Sequence, residues 1–190
     1  MFVVPGWRNG AVNEMSGSAP GGYRVQVITY PNDAPAEQFP FRVAGDVQVG
    51  VDTLNWEVNQ FYDACGNQPT IIAGYSMGAL VAGNVLQTQP EYRDIQGIVF
   101  SDGRRLPAFD GDPGGAEAFH GALIPGDGLR GFSQPTVTIC NRLDSVCFGT
   151  PDPVATVNNY LGHHTNYAGW NVAHELGLHG WGVHKNIVFG

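Results

Sequence analysis

The run Thr70-Ile-Ile-Ala-Gly-Tyr-Ser76-Met-Gly-Ala-Leu-Val-Ala-Gly83 sets a serine between a short apolar stretch and an apolar segment with helical spacing. That is the sequence form of a sharp strand-to-helix turn, in which the serine backbone is strained and its hydroxyl exposed for attack. Gly74 and Gly78, on either side, let strand and helix approach without a side-chain clash. A serine so placed is a nucleophile, and the chain reads as a hydrolase or acyl transferase. A G-x-S-x-G match is frequent in a chain with 27 glycines. The strand before it and the helix after it give it weight.

An alcohol is a weak nucleophile at neutral pH. It needs a base within hydrogen-bond reach, and the base needs a group that fixes its tautomer. Where the serine sits on such an elbow, the order along the chain is Ser, acid, His. Asp144 stands in Cys140-Asn-Arg-Leu-Asp144-Ser-Val-Cys147, just past a predicted strand, where a loop closed by two cysteines would hold a carboxylate still. Asp102, in Ser101-Asp-Gly, is the rival acid, although its ordinary role before glycine is to cap a turn. Asp110, Asp112 and Asp127 read as turn residues in Gly-rich sequence.

For the base, His163 and His164 stand side by side, and adjacent residues rarely aim at one point, so at most one serves. His120, His174 and His184 read as hydrogen-bonded core or surface groups. His174-Glu-Leu-Gly-Leu-His179 has one residue too many for the H-E-x-x-H zinc motif. On a helix the extra residue turns the second ligand by about 100°. No metal and no cofactor is expected.

The elements that must position these groups alternate in type. Strands are predicted over Phe2 to Val4, Tyr23 to Tyr30, Thr70 to Gly74, Ile95 to Phe100 and Thr136 to Cys140, rich in Val and Ile like strands buried on both faces. Val47, Val51, Leu54, Val58 and Phe61 recur at helical steps, and Pro69 follows that helix. Met77 to Gln89 is a second helix before Pro90, and Asp152-Pro153 caps a third that runs to about Leu161. This alternation predicts a three-layer α/β/α sandwich with a central, mostly parallel sheet, in which reactive groups gather at the carboxyl ends of strands. The whole chain, 1–190, reads as one domain. Its Gly- and Pro-rich insertion, at about 101–135, reads either as a segment beside the active site that shapes the substrate groove or as an inert surface excursion.

Taken together, Gly74-Tyr-Ser76-Met-Gly-Ala, Cys140-x3-Asp144-x-Val-Cys147 and His164-x2-Tyr167 resemble the cutinase pattern of G-Y-S-x-G-A, C-x3-D-x-V-C and H-x2-Y. The resemblance covers most of the chain, weakly outside these blocks, and extends to the esterases of phages that infect mycolate-bearing bacteria (the lysin B group) and to the PE-PPE hydrolase domain. It implies an α/β hydrolase acting on esters of hydrophobic acyl chains, with Ser76 as nucleophile, Asp144 as acid and His164 as base. It also implies a second oxyanion donor from the loop after the first strand. There Val4-Pro-Gly6-Trp7 replaces the Gly-Ser or Gly-Thr of cutinases, so the backbone N–H of Trp7 would serve beside that of Met77, without a hydroxyl. Cys65 occupies the place of a cysteine that cutinases join to one near the N-terminus, but no such partner is present. Cys140 and Cys147 are a possible disulfide. Cys65 reads as a buried small hydrophobe.

Composition narrows the partners. A net charge of -8 argues against nucleic acid or an anionic membrane surface, and no apolar stretch is long enough to span a membrane. The expected partner is a hydrophobic ester or lipid, with a mycolylated cell-wall polysaccharide as the specific form, met by a monomer. The expected function is serine esterase. Its alternatives are a general cutinase or short-chain carboxylesterase, and a non-catalytic virion or envelope binding protein on a hydrolase scaffold. Met1-Phe-Val-Val-Pro-Gly lacks a basic n-region and a long h-region, so no signal peptide is expected here. That suits cytoplasmic synthesis with release at host lysis, or a secreted protein whose leader is absent from this sequence.

Overall fold

Alternation of side chains about β1 (Phe2–Val4) sets the layering: Phe2 and Val4 enter one apolar cluster, Met1 and Val3 the other. The computed structural model describes residues 1–33, 41–101, 133–144, 146–147, 163–164 and 171–189. After β1 come a 3-10 turn (Trp7–Asn9), α1 (Val12–Gly17), β2 (Gln26–Val27), α2 (Phe41–Cys65), β3 (Thr70–Tyr75) and α3 (Met77–Thr88). β4 (Ile95–Phe100), β5 (Thr136–Asn141), α4 (Val172–His179) and β6 (Lys185–Phe189) complete the described elements.

The six strands lie in the order β2-β1-β3-β4-β5-β6, and every pair is parallel. Leu54 and Val58 of α2 and Leu80, Val81, Val85 and Leu86 of α3 cover one face, against Phe2, Val4, Ile72 and Val99. Met15 of α1 and Val172 of α4 cover the other, against Val3, Ile71, Ala73, Ile98 and Ile139. The protein is the three-layer α/β/α sandwich that the alternation predicts. Because β1 is flanked by β2 on one side and β3 on the other, the strand order reverses direction there, which makes the carboxyl ends of β1 and β3 the place where open parallel sheets bind ligands.

Several expectations need correction. Among the described residues the predicted strand Tyr23 to Tyr30 is paired as a strand only at Gln26–Val27, because it lies at the edge of the sheet beside β1, which offers three residues. Val25 and Val27 are accordingly exposed rather than buried on both faces. β6 and the helices α1 and α4 were not anticipated: Lys185 and Asn186 interrupt the apolar run of β6, and α1 is six residues long. Cys65 is exposed, not buried. It is the last residue of α2, and the chain turns away at Gly66, whose φ is +71°, before anything packs over the thiol. The helix expected from Asp152 lies outside the described residues, as do most of the 101–135 insertion, Asp102 and His120. No helix among the described residues is long and apolar enough to cross a membrane.

Candidate active site

Ser76 joins β3 to α3 with φ 54° and ψ -119°, a conformation that costs a non-glycine residue on the order of 1–3 kcal/mol. The turn survives because its surroundings fix it. Ser76 N–H donates to Phe100 O at 3.0 Å, and Ser76 O accepts the first helical bond from Ala79 at 2.9 Å. A Cβ on Gly78 would stand 2.1 Å from Val4 O, and one on Gly74 would stand 2.5 Å from Gly78 O. The two glycines thus let α3 lie directly on β1 and β3. Ser76 makes no cap to its own helix. Its Oγ lies 2.8 Å from His164 Nε2 instead.

The imidazole continues the chain of bonds. His164 Nδ1 lies 3.1 Å from Asp144 Oδ1 and 3.2 Å from Oδ2. Tyr75, the residue before the serine, stacks its ring on the imidazole at 5.3 Å between centroids, and its hydroxyl donates to the His164 carbonyl. Asp144 follows β5 in a tight turn: its N–H donates to Asn141 O at 2.8 Å, and Leu143 N–H donates to Asn141 Oδ1 at 3.0 Å. Val146 N–H donates to Asp144 Oδ1 at 2.9 Å. Beneath this turn Cys140 and Cys147 are joined, with S–S 2.08 Å. Asp144 is fully buried, and Ser76 and His164 nearly so.

Burial alone would raise the Asp144 pKa. The hydrogen bond and charge of His164, then the Ser101 hydroxyl and the Val146 N–H, outweigh it and hold the carboxyl below its ordinary value. The acid is therefore an anion wherever the imidazole works as a base. The line Ser76 Oγ, His164 Nε2, His164 Nδ1, Asp144 can draw a proton from the hydroxyl and stabilise the imidazolium that results.

The loop after β1 forms the other wall. Gly6 N–H donates to Gly10 O at 3.0 Å, and Arg8 N–H donates to Asn32 O at 2.7 Å. The buried Asn32 amide donates to Gly6 O and Asn9 Oδ1, at 3.1 and 3.0 Å, and Tyr30 OH donates to Pro5 O at 2.6 Å. Arg8, Asn9 and Ala11 all have positive φ, and the Arg8 guanidinium lies 4.6 Å above the Trp7 ring. This strained loop and the start of α3, with Met77, meet at the switch in strand order, where a Cβ on Gly78 would stand against Val4 O and Pro5 O.

The structure thus brings together Ser76, His164 and Asp144, with His164 rather than His163 supplying the imidazole, and joins Cys140 to Cys147. It sets Trp7 in the turn after β1 and Met77 at the start of α3, the two elements that follow β1 and β3. On α4, His174 is exposed and Glu175 is buried on another face, with His179 Nε2 3.3 Å from Glu175 Oε2. His184 Nδ1 accepts from Thr136 N–H at 3.3 Å. Sequence reasoning missed Tyr75, Asn32 and Ser101. The strand-end rule pointed at Ser101, but the neighbouring Asp102 drew the attention an acid draws.

A family model described as Cutinase matches residues 6–175. Among solved structures, the chain is similar to a cutinase-like protein from Cryptococcus sp., at TM-score 0.58 and 14% identity, covering 96% of this chain and 94% of that one. It is also similar to the catalytic core domain of acetyl xylan esterase from Trichoderma reesei, at TM-score 0.56 and 18% identity, covering 94% and 93%. At these identities the likeness is one of fold. No curated protein matches the chain significantly in sequence.

Proposed function

Because the chain belongs to the cutinase family and is a carboxylic ester hydrolase, we propose that it cleaves lipid esters with Ser76 as nucleophile, His164 as base and Asp144 as acid. The observation that carries this reading is the 2.8 Å contact between Ser76 Oγ and His164 Nε2, backed by a buried carboxylate on the far side of the ring. His164 takes the proton as Ser76 Oγ bonds to the ester carbonyl carbon. The backbone N–H groups of Met77 and Trp7 hold the oxyanion, each contributing about a hundredfold or more in turnover. Collapse expels the alcohol, which receives the proton from His164. Water then attacks the acyl-serine by the same route, and the acid leaves.

Within this class the specific substrate proposed is the mycolyl ester of a cell-envelope polysaccharide. What supports it is Cys65, which lies exposed and outside any disulfide among the described residues, where cutinases join the corresponding cysteine to one near the N-terminus. Ser76→Ala loses p-nitrophenyl butyrate hydrolysis by about a millionfold with the fold retained, and a fluorophosphonate probe no longer labels the chain. Normal turnover in that variant would remove the assignment. An ester panel from short acyl chains to mycolyl-arabinogalactan tests the substrate: release of free mycolic acid supports the specific form, and turnover of short esters alone leaves a general carboxylesterase.

A further inference from the structure

Ser101 stands where β4 ends, fully buried, with φ 55°. Glycine would hold that corner without steric cost. Serine holds it under strain, and what it adds is one oxygen. That Oγ lies 2.5 Å from Asp144 Oδ2 and 3.1 Å from His164 Nδ1. We propose that Ser101 is a positioning residue of the triad, its hydroxyl fixing the Asp144 carboxylate as an anion turned toward His164 Nδ1.

The inference rests on the triad reading above, and geometry supplies the rest. Asp144 Oδ1 accepts from Val146 N–H and Oδ2 from Ser101 O–H, so each carboxylate oxygen has a fixed donor. Rotation about the Asp144 Cβ–Cγ bond would break both. Since the Ser101 proton is directed at Asp144, a lone pair of Oγ faces the imidazole and accepts, with the carboxylate, from Nδ1–H. This arrangement selects the tautomer that leaves the Nε2 lone pair on Ser76 Oγ. Strain at a buried residue that touches both acid and base is the pattern expected where the backbone serves a site. The titratable groups that face Asp144 from described elements are His164 and, across the imidazole, Tyr75 at the end of β3. Cys140 and Cys147 are bonded to each other and do not titrate.

Ser101→Ala and Ser101→Gly in this chain test the proposal, with kcat and KM on p-nitrophenyl butyrate measured across pH and melting followed in parallel. Both variants lose about tenfold or more in kcat, the scale of a hydrogen bond to a charged group, with KM little changed. With the donor gone, one of the contacts that hold the Asp144 carboxyl below its ordinary value is lost, so the acid limb of kcat/KM moves to higher pH. Ser101→Gly melts at least as high as Ser101→Ala, because it sheds the strain, so its lost activity is not lost folding. A Ser101→Gly enzyme with wild-type kcat and pH profile, while Ser76→Ala is dead, overturns this inference alone and leaves the triad standing. An active Ser76→Ala overturns both.

Discussion

At the scale of single residues, the site is bought with backbone strain. Ser76 and Ser101 both hold positive φ, and both are buried against His164. Replacing Ser76 by glycine removes the strain and the nucleophile together, whereas alanine removes only the nucleophile. Ser76→Gly is therefore expected to be the more stable of the two dead variants by about 1 kcal/mol. Paired thermal melts read the difference, and equal melting points would show that the turn stores nothing. Asp144→Asn tests the acid. An amide offers Nδ1–H no anion and favours the wrong tautomer, so kcat falls by about 10⁴ with KM little altered. Steady-state kinetics on a soluble ester decide it, and a near-normal kcat would move the acid elsewhere. Ser76, Asp144 and His164 stood out in the sequence because each sits in a block with its own spacing. Ser101 did not, since its importance comes from a backbone corner and two partners more than forty residues on.

At the scale of elements, legibility followed burial. β3, β4 and β5 are buried along their length and bonded on both sides, so apolar runs mark them to within a residue. The edges β2 and β6 carry exposed or polar residues and escaped the pattern or blurred it. α4 was hidden for a different reason: its sequence holds Glu175 in the core, where a periodicity argument expects an apolar residue. Among the described residues neither Glu175 oxygen has a hydrogen-bond partner, although His179 Nε2 lies 3.3 Å from Oε2. Burial raises the Glu175 pKa, with His174 opposing, while burial, Lys185 and His174 lower that of His179. The pair thus favours its neutral form. A carboxyl whose folded pKa lies above the unfolded one contributes stability below the ordinary Glu range, which is lost as pH rises through the raised value. Glu175→Met, of similar volume, is expected to melt above the wild type at pH 8, with the gap closing toward pH 4. Melts across that range test it, and a gap that widens in acid would reverse the sign.

At the scale of the whole molecule, the sheet order explains why the chemistry sits where it does. Parallel strands with a reversal of order gather ligand-binding groups at the switch point, and among the described residues the loop after β1 and the elbow after β3 both lie there. The alternation of elements foretold the layers. The edge positions of β2 and β6 depend on long-range pairings that local sequence does not encode. Charge is the remaining global property, and it bears on how the esterase would meet a lipid surface. With 17 acidic against nine basic residues, the protein carries a formal charge of -8, and repulsion delays its approach to any anionic lipid surface. Ions screen that repulsion over about 30 Å at 0.01 M but about 8 Å at 0.15 M. Hydrolysis of a neutral ester emulsion is therefore expected to change little between those salt concentrations. The same ester dispersed with phosphatidylglycerol is hydrolysed slowly at low salt and several-fold faster at high salt, while a soluble p-nitrophenyl ester shows neither effect. Initial rates on the three substrates measure this directly. Faster turnover on the anionic emulsion at low salt would reveal a local basic docking face that the net charge conceals.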